Sequence, residues 1–319
     1  MVPRSVRTTL LLACSFVLPL AAAVEPAQVY RGTAHDALYG LCMDGQEGVA
    51  VGGAGLVIET ADGGQTWSPT EAFTDSALLD ISCGAGPHLI VAQSGGIFRP
   101  SNGTYEAVDS GTDARLLAVD GNSHGLAFAV GGFGTILRSE DGGLTWAAIS
   151  TDWEAILNDF LEPHLYDVQV SESGVVTIVG EFELVVRSPD GGETWETVHT
   201  GEASLFGLNL NADGSGYAVG QDGRVIRTSD GGLSWSEVVT PSTGILLNVW
   251  SSAEGDVLIS GIRNLLRSSD DGASWTLVEG GDLNTGWYQG LVITSEEGSP
   301  APKVLLAGHQ GSVIELQLN

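Results

Sequence analysis

The chain has 319 residues, 43% of them hydrophobic, with 45 glycines, 11 prolines and a formal net charge of −28. Such an excess of acid, with a single lysine (Lys303) in the whole sequence, argues against nucleic acid or an anionic lipid surface as ligand. Both are bound by neutralising phosphate with Lys and Arg.

The first 23 residues read as a signal peptide. Arg4 and Arg7 form a basic start, Leu10 to Leu20 is mostly apolar, and Ala21, Ala22 and Ala23 offer a small-residue cleavage site before Val24. The apolar run is too short for a membrane span. Leu11 to Cys14 loosely matches a lipoprotein cleavage box, but the apolar stretch before Cys14 is too short and the residues after it stay apolar. The expected product is an exported, periplasmic or secreted protein of residues 24–319. Its charge is −30, because removal of Arg4 and Arg7 takes two positive charges and no negative one. Cys42 and Cys83 survive cleavage. In an oxidising compartment a disulfide between them is the preferred expectation, with two buried thiols as the alternative. No CxxC spacing supports a redox or zinc role.

From Thr60 onward one box recurs. It is written TADGGQTW ending at Trp67, SEDGGLTW at Trp146, SPDGGETW at Trp195, TSDGGLSW at Trp235 and SSDDGASW at Trp275. The aligned aspartates Asp62, Asp141, Asp190, Asp230 and Asp270 are 79, 49, 40 and 40 residues apart. The period is therefore 40, with one doubled gap and one gap holding an insertion, which is the mark of a propeller or solenoid. Each unit reads as four short strands: in 115–150, Arg115 to Asp120, Leu126 to Val130, Thr135 to Arg138 and Thr145 to Ile149, separated by Gly and Asp-Gly turns. The doubled gap holds a worn copy at 76–108, without the Asp and Trp. The tail supplies three strands only, and Gln28 to Arg31 can supply the fourth. The expected fold is all-β, a ring of seven four-stranded antiparallel blades closed by an N-terminal strand, which leaves no open sheet edge.

The insertion, Thr151 to Leu161, carries apolar residues at 153, 156, 157, 160 and 161, the spacing of an amphipathic helix. Thr151 with Glu154 reads as a capping box, and Pro163 closes the segment. Trp153 is its first apolar anchor. The helix either covers part of the ring or docks a partner.

Aspartates 40 residues apart in a propeller sit on different blades, whereas a catalytic carboxylate pair lies within roughly 5–10 Å. The box aspartates and tryptophans are therefore read as structural: Asp accepts turn amides, Gly supplies positive φ, and Trp buries its ring between sheets. Asn209 to Gly214 mimics the start of a calcium loop but has Gly220 where the twelfth-position Glu is needed, and is read as a turn. The six histidines show no metal-ligand spacing. No cofactor and no metal are expected.

The box is the Asp-box, or BNR, motif, and its lead-in is more specific than the box. Ala129 to Ser139 (AVGGFGTILRS) and Ala218 to Thr228 (AVGQDGRVIRT) extend it to a longer unit, with variants at 51–60 and 179–188. That unit resembles the photosystem II stability and assembly factor family. The resemblance implies a seven-bladed, non-catalytic, exported propeller that assists assembly of a membrane complex by binding a protein partner, such as an extramembrane segment of a membrane protein. The family's photosynthetic members use an arginine-rich patch. Here Arg99, Arg138, Arg187, Arg227 and Arg267 occupy a repeated scaffold position; of the irregular Arg31, Arg115, Arg224, Arg263 and Lys303, only Arg224 and Arg263 lie in equivalent loops of neighbouring blades, as material for at most a small basic spot.

The expected working surface is the face carrying the second-to-third strand loops, where Phe133, Glu181, Phe182, Glu183, Asp222, Arg224, Arg263, His309 and Gln310 replace small residues, together with Trp153 and its helix. The alternative is a carbohydrate-binding or glycan-cleaving Asp-box propeller. Against it, no Arg-Ile-Pro signature of a sialidase occurs near the N-terminus, and the two-propeller xyloglucan-cleaving type needs about twice this length.

Overall fold

The computed structural model describes residues 22–83, 88–157, 160–294 and 302–317. Seven antiparallel sheets form a ring, each starting at the centre and running outward. Blade one is Leu38–Asp44, Glu47–Gly52, Val57–Thr60 and Ser68–Pro69. Blade two, the worn copy, is Leu78–Ser82, Leu89–Ala92, Ile97–Ser101 and Thr104–Val108. Blades three to six open with Leu116–Gly121, Leu165–Val170, Leu205–Leu210 and Leu246–Ser251. Blade seven takes Tyr288–Thr294, Lys303–Gly308 and Val313–Gln317 from the tail and Ala27–Tyr30 from the other end of the chain, paired antiparallel with Val313–Gln317. Ring closure is as the strand count predicts. Most of the stretch read as a signal peptide, residues 1–21, lies outside the described residues. Ala22–Ala23 adds a short parallel strand to the outer edge of blade six, opposite Val278 and Glu279.

Why the repeat folds this way is visible in its burial. The second strand of a blade is covered on both faces by its neighbours, so it is apolar or small throughout: Val176–Gly180, Gly216–Gly220 and Val257–Gly261 are buried at every position. The outermost strands are mainly exposed. The core therefore lies between blades rather than within one, as where Phe128 of blade three packs with Val168, Ile178 and Trp195 of blade four. One blade alone could not bury its two faces.

Each box fastens its own blade to the one before it. In blade four, Ser188 Oγ donates to Asp190 Oδ1 at 2.8 Å and accepts the Gly192 amide at 2.7 Å. Asp190 also accepts the Thr194 amide at 2.9 Å and the Thr194 hydroxyl at 2.6 Å. Gly192 has φ +91°, and a Cβ there would lie 2.7 Å from the Phe128 ring of the preceding blade, so neither the conformation nor the space admits another residue. Trp195 then meets Phe128 edge-to-face at 6.0 Å. Blade two does without the box: Asn102 and Gly103, both with positive φ, make a tight hairpin turn. Phe73, against Phe98 and Tyr105 at 5.0 Å each, supplies the missing aromatic.

The inserted helix is Trp153–Leu157, shorter than the spacing predicts; residues 158–159 lie outside the described set. Its cap is also different. Asp152 Oδ1, not Thr151, accepts the Ala155 amide at 3.0 Å, while Thr151 Oγ1 is buried with no hydrogen-bond partner among the described residues. Cys42 and Cys83 are joined as a disulfide between the first strands of blades one and two, with Cα atoms 5.7 Å apart.

Candidate partner-binding face

The two faces of the ring have different chemistry. The boxes lie on the face of the first-to-second strand turns, to which they bond directly: Gly142 N–H donates to Gly125 O at 2.8 Å and Gly231 N–H to Gly214 O at 2.9 Å. The second-to-third strand loops occupy the opposite face. There every blade holds a non-glycine residue in the left-handed region, at Ala54, Ser94, Phe133, Phe182, Asp222, Arg263 and Gln310, with φ between 52° and 63°, and blade four holds a second, Glu183, at φ 46°. That conformation costs on the order of 1 kcal/mol per residue. It persists because the turn brings an amide onto the chain entering the next blade: Gly134 N–H to Pro163 O at 2.8 Å, Gly223 N–H to Gly244 O at 2.7 Å, Arg263 N–H to Gly286 O at 2.8 Å. The tip residue is left at the outer surface, and these tips include five of the positions singled out in the sequence.

The singled-out residues divide. Phe133 is 68% exposed and meets His164 edge-to-face at 5.2 Å. Asp222 and Arg263 are exposed, Phe182 half-buried. Glu181 is half-buried and accepts the His164 amide at 2.8 Å. Gln310 accepts a hydrogen bond from Arg31. His309 lies 3.0 Å from Asp282 and against the Tyr288 ring. Two residues are turned inward. Glu183 is buried, 3.0 Å from Arg224 Nε and 3.2 Å from His199 Nε2. The other guanidinium arm of Arg224 reaches Glu237 at 2.7 Å. Arg224 and Arg263 therefore do not form a basic spot, because the first is neutralised internally. Trp153 is also buried, its indole N–H donating to Gly134 O at 3.2 Å. It anchors the helix to the ring.

The sequence reading missed the mouth of the central channel on this same face. In all seven blades the first strand has a register shift against the second, between its first and third residues. The intervening residue is Tyr39, Leu79, Leu117, Tyr166, Phe206, Leu247 or Gln289, all half-buried. Six of the seven are apolar or aromatic, and most of them line a space of about 60 Å³. Tyr166 meets Phe206 edge-to-face at 4.9 Å, and Tyr39 stacks on Trp287 at 5.9 Å. From Phe133 through His164 and Tyr166 to Phe206, rings follow one another from a loop tip to the channel mouth.

Below the mouth the channel is polar, and its side chains bind blade to blade. Asp80 accepts the Val119 amide at 2.9 Å, Asp120 the Val170 amide at 2.7 Å, and Asp167 the Leu208 amide at 2.7 Å. Gln169 exchanges two bonds with Leu210, and Asn209 accepts the Ser251 amide at 2.9 Å. Each carboxyl touches channel space but is enclosed by protein. Burial pushes Asp80 up to about 7 and Asp120 to about 6. Asp167 is raised well above the ordinary carboxyl range by burial and by the charges of Asp80 and Asp120. The box aspartates go the other way: hydrogen bonds from Thr66 and Thr60 hold Asp62 down to about 2, and Asp141, Asp190 and Asp230 match it. They are ionised acceptors whose lone pairs their own turn consumes, with no proton to give at neutral pH.

A seven-bladed propeller with fastened boxes on one face and irregular, partly aromatic loop tips around a narrow mouth on the other is the class of protein the geometry defines. Residues 98–259 match the profile described as photosynthesis system II assembly factor YCF48. The chain belongs to that family. Its structure is similar to that of YCF48 bound to D1 peptide, at TM-score 0.72 and 19% identity over 96% of this chain and 100% of that one. It is also similar to YCF48 from Cyanidioschyzon merolae, at TM-score 0.72 and 18% identity over 92% of this chain and 98% of that one. A GH74 xyloglucanase from Xanthomonas campestris shares the fold at TM-score 0.70 and 14% identity; the match covers 91% of this chain and 53% of the enzyme. No curated protein sequence matches the chain.

Proposed function

We propose that this protein is an exported, non-catalytic scaffold that holds an extended extramembrane segment of a membrane protein while its complex is assembled. The observation that carries the reading is the run of rings from Phe133 to Phe206 on the face of the strained loop tips, in a member of the YCF48 family. Aromatic rings beside a groove give an extended peptide large contact area at low cost in side-chain entropy. The YCF48 structure holding a D1 peptide supports a protein segment as ligand. Export is supported by the basic-apolar-small pattern of residues 1–23 and by the Cys42–Cys83 disulfide, which suits an oxidising compartment. Among the described residues no helix is long and apolar enough to cross a membrane.

The test is site-specific photocrosslinking in the producing cell, with a benzophenone side chain at position 133 or 166 and, as control, at Asp213 on the opposite face. A discrete adduct with a membrane protein at 133 and 166 but not at 213 is expected. Equal labelling of both faces, or none at 133 and 166, sinks the proposal.

The second reading is a glycan-cleaving propeller, favoured by the GH74 likeness and by the raised carboxyls of Asp80, Asp120 and Asp167. Those carboxyls are already bound by the amides of Val119, Val170 and Leu208, below a mouth of about 60 Å³. A sugar ring does not fit through that mouth, and Asp120 and Asp167, which also border the wider lower channel space of about 330 Å³, have carboxylate oxygens already engaged by backbone amides. Release of reducing ends from xyloglucan, abolished in Asp167→Asn, would reverse the preference.

A further inference from the structure

Cys42, Cys83 and His88 are far apart or irregularly spaced in the sequence, yet each presents a ligand atom within 4.8 Å of the others. Cys42 lies on the first strand of blade one; Cys83 directly follows the first strand of blade two and His88 directly precedes its second. Cys42 is buried, the other two half-buried. Cys83 also borders the lower channel space of about 330 Å³, together with Asp120 and Trp250, so small solutes have a route to it. With the cysteines bridged, neither sulfur carries the charge a metal needs.

We propose that, once the bridge is reduced, these three residues form a binding site for a thiophilic metal ion of the Zn²⁺ class, so that the disulfide acts as its lock. A dithiol reductant opens the S–S bond with two electrons and two protons and itself becomes a disulfide. The metal displaces both thiol protons as it binds the two thiolates, and one imidazole nitrogen of neutral His88 donates the third lone pair. Two thiolates and an imidazole, with water in the fourth position, are a standard tetrahedral set for zinc, at about 2.3 Å to sulfur and about 2.0 Å to nitrogen. The inter-blade cluster holds Cys42 within a strand of one sheet and Cys83 and His88 next to strand ends of its neighbour, two sheets that the rest of the ring already keeps together. The proposal does not depend on the partner-binding reading.

The experiment is anaerobic titration of the reduced whole protein with Co²⁺, followed by the near-ultraviolet thiolate-to-cobalt absorption, then by competition with Zn²⁺. Saturation at one cobalt per chain, displacement by Zn²⁺ and silence of the oxidised protein are expected. His88→Ala should weaken binding by roughly tenfold or more, since even the outer partners of a ligand are worth that much. The Cys42→Ser/Cys83→Ser double variant, folded by circular dichroism, should not bind. Three results overturn the site: no thiolate absorption with the reduced wild type at any cobalt excess, unaltered affinity in His88→Ala, or unfolding of the chain on reduction.

Discussion

The carboxylate of Asp167 in blade four accepts the backbone N–H of Leu208 in blade five at 2.7 Å, across a boundary that no ladder of strand hydrogen bonds crosses. Its other oxygen holds the Val168 amide at 2.8 Å. Asp167→Ala leaves the Leu208 amide unpaired and should lose about 1–3 kcal/mol in urea unfolding. Asp167→Asn, which keeps one of the two bonds, should lose less. An alanine variant as stable as wild type would show that the channel side chains do not bind the blades.

The channel carboxyls also set a pH dependence. Asp80 near 7 and Asp120 near 6 sit above their ordinary value of 3.8. Between the two values the folded state binds more protons than the unfolded one, so stability falls as pH rises from about 4 to about 7. The box aspartates, lowered to about 2, contribute stability above pH 4 that disappears as pH falls toward 2. Urea midpoints measured from pH 2 to 8 should therefore peak near pH 4–5. In Asp80→Asn the descent on the alkaline side should be shallower; an unchanged profile would contradict the assignment.

Ser188 is fully buried and serves both Asp190 and the Gly192 amide. Ser188→Ala should reduce stability by about 1–2 kcal/mol without unfolding the ring, since blade two stands with no box at all. The same variant should crosslink at position 133 like wild type, because the box lies on the other face.

Trp153 fills the space above Gly134, where an added Cβ would lie 1.9 Å from its indole nitrogen. Trp153→Ala should cost about 3–5 kcal/mol as a buried aromatic truncation. Gly134→Ala, strained at φ +64° and sterically blocked, should also destabilise and should redden Trp153 fluorescence. Normal stability in both would show that the helix is not anchored there.

The Cys42–Cys83 bridge closes a loop with a sequence separation of 41. Replacing both by alanine should lower stability by about 4 kcal/mol on the loop-entropy account, read as a lower urea midpoint than that of the oxidised wild type.

The 40-residue period, the box tryptophans and the apolar second strands made the seven blades legible, because each is a local pattern that copies itself. The working face was only half legible. Phe133, Asp222 and Arg263 break the repeat and do stand at the loop tips, but Glu183 breaks it equally and is buried, since its partner Arg224 comes from the next blade. The channel bonds were hidden for the same reason. Asp80 and Asp167 sit at the third position of their strands, Asp120 and Gln169 at the fifth, and only the closed ring shows that these unlike residues perform the same task. The helix start went to Thr151 on its hydroxyl, whereas the chain turns one residue later and Asp152 takes the cap.

Blade seven is assembled from the two ends of the chain, Ala27–Tyr30 lying on Val313–Gln317. During synthesis the first strand emerges long before its partner exists, and it must wait while nearly all the polypeptide follows. Closure is thus the last of the described strand pairings to become available, with the largest sequence separation among them, and contacts of that kind form slowly. A chain broken off early by the ribosome or a protease cannot make it and stays an open arc with two raw sheet edges. In this architecture a sealed circle certifies that the chain has been delivered through the strand Val313–Gln317.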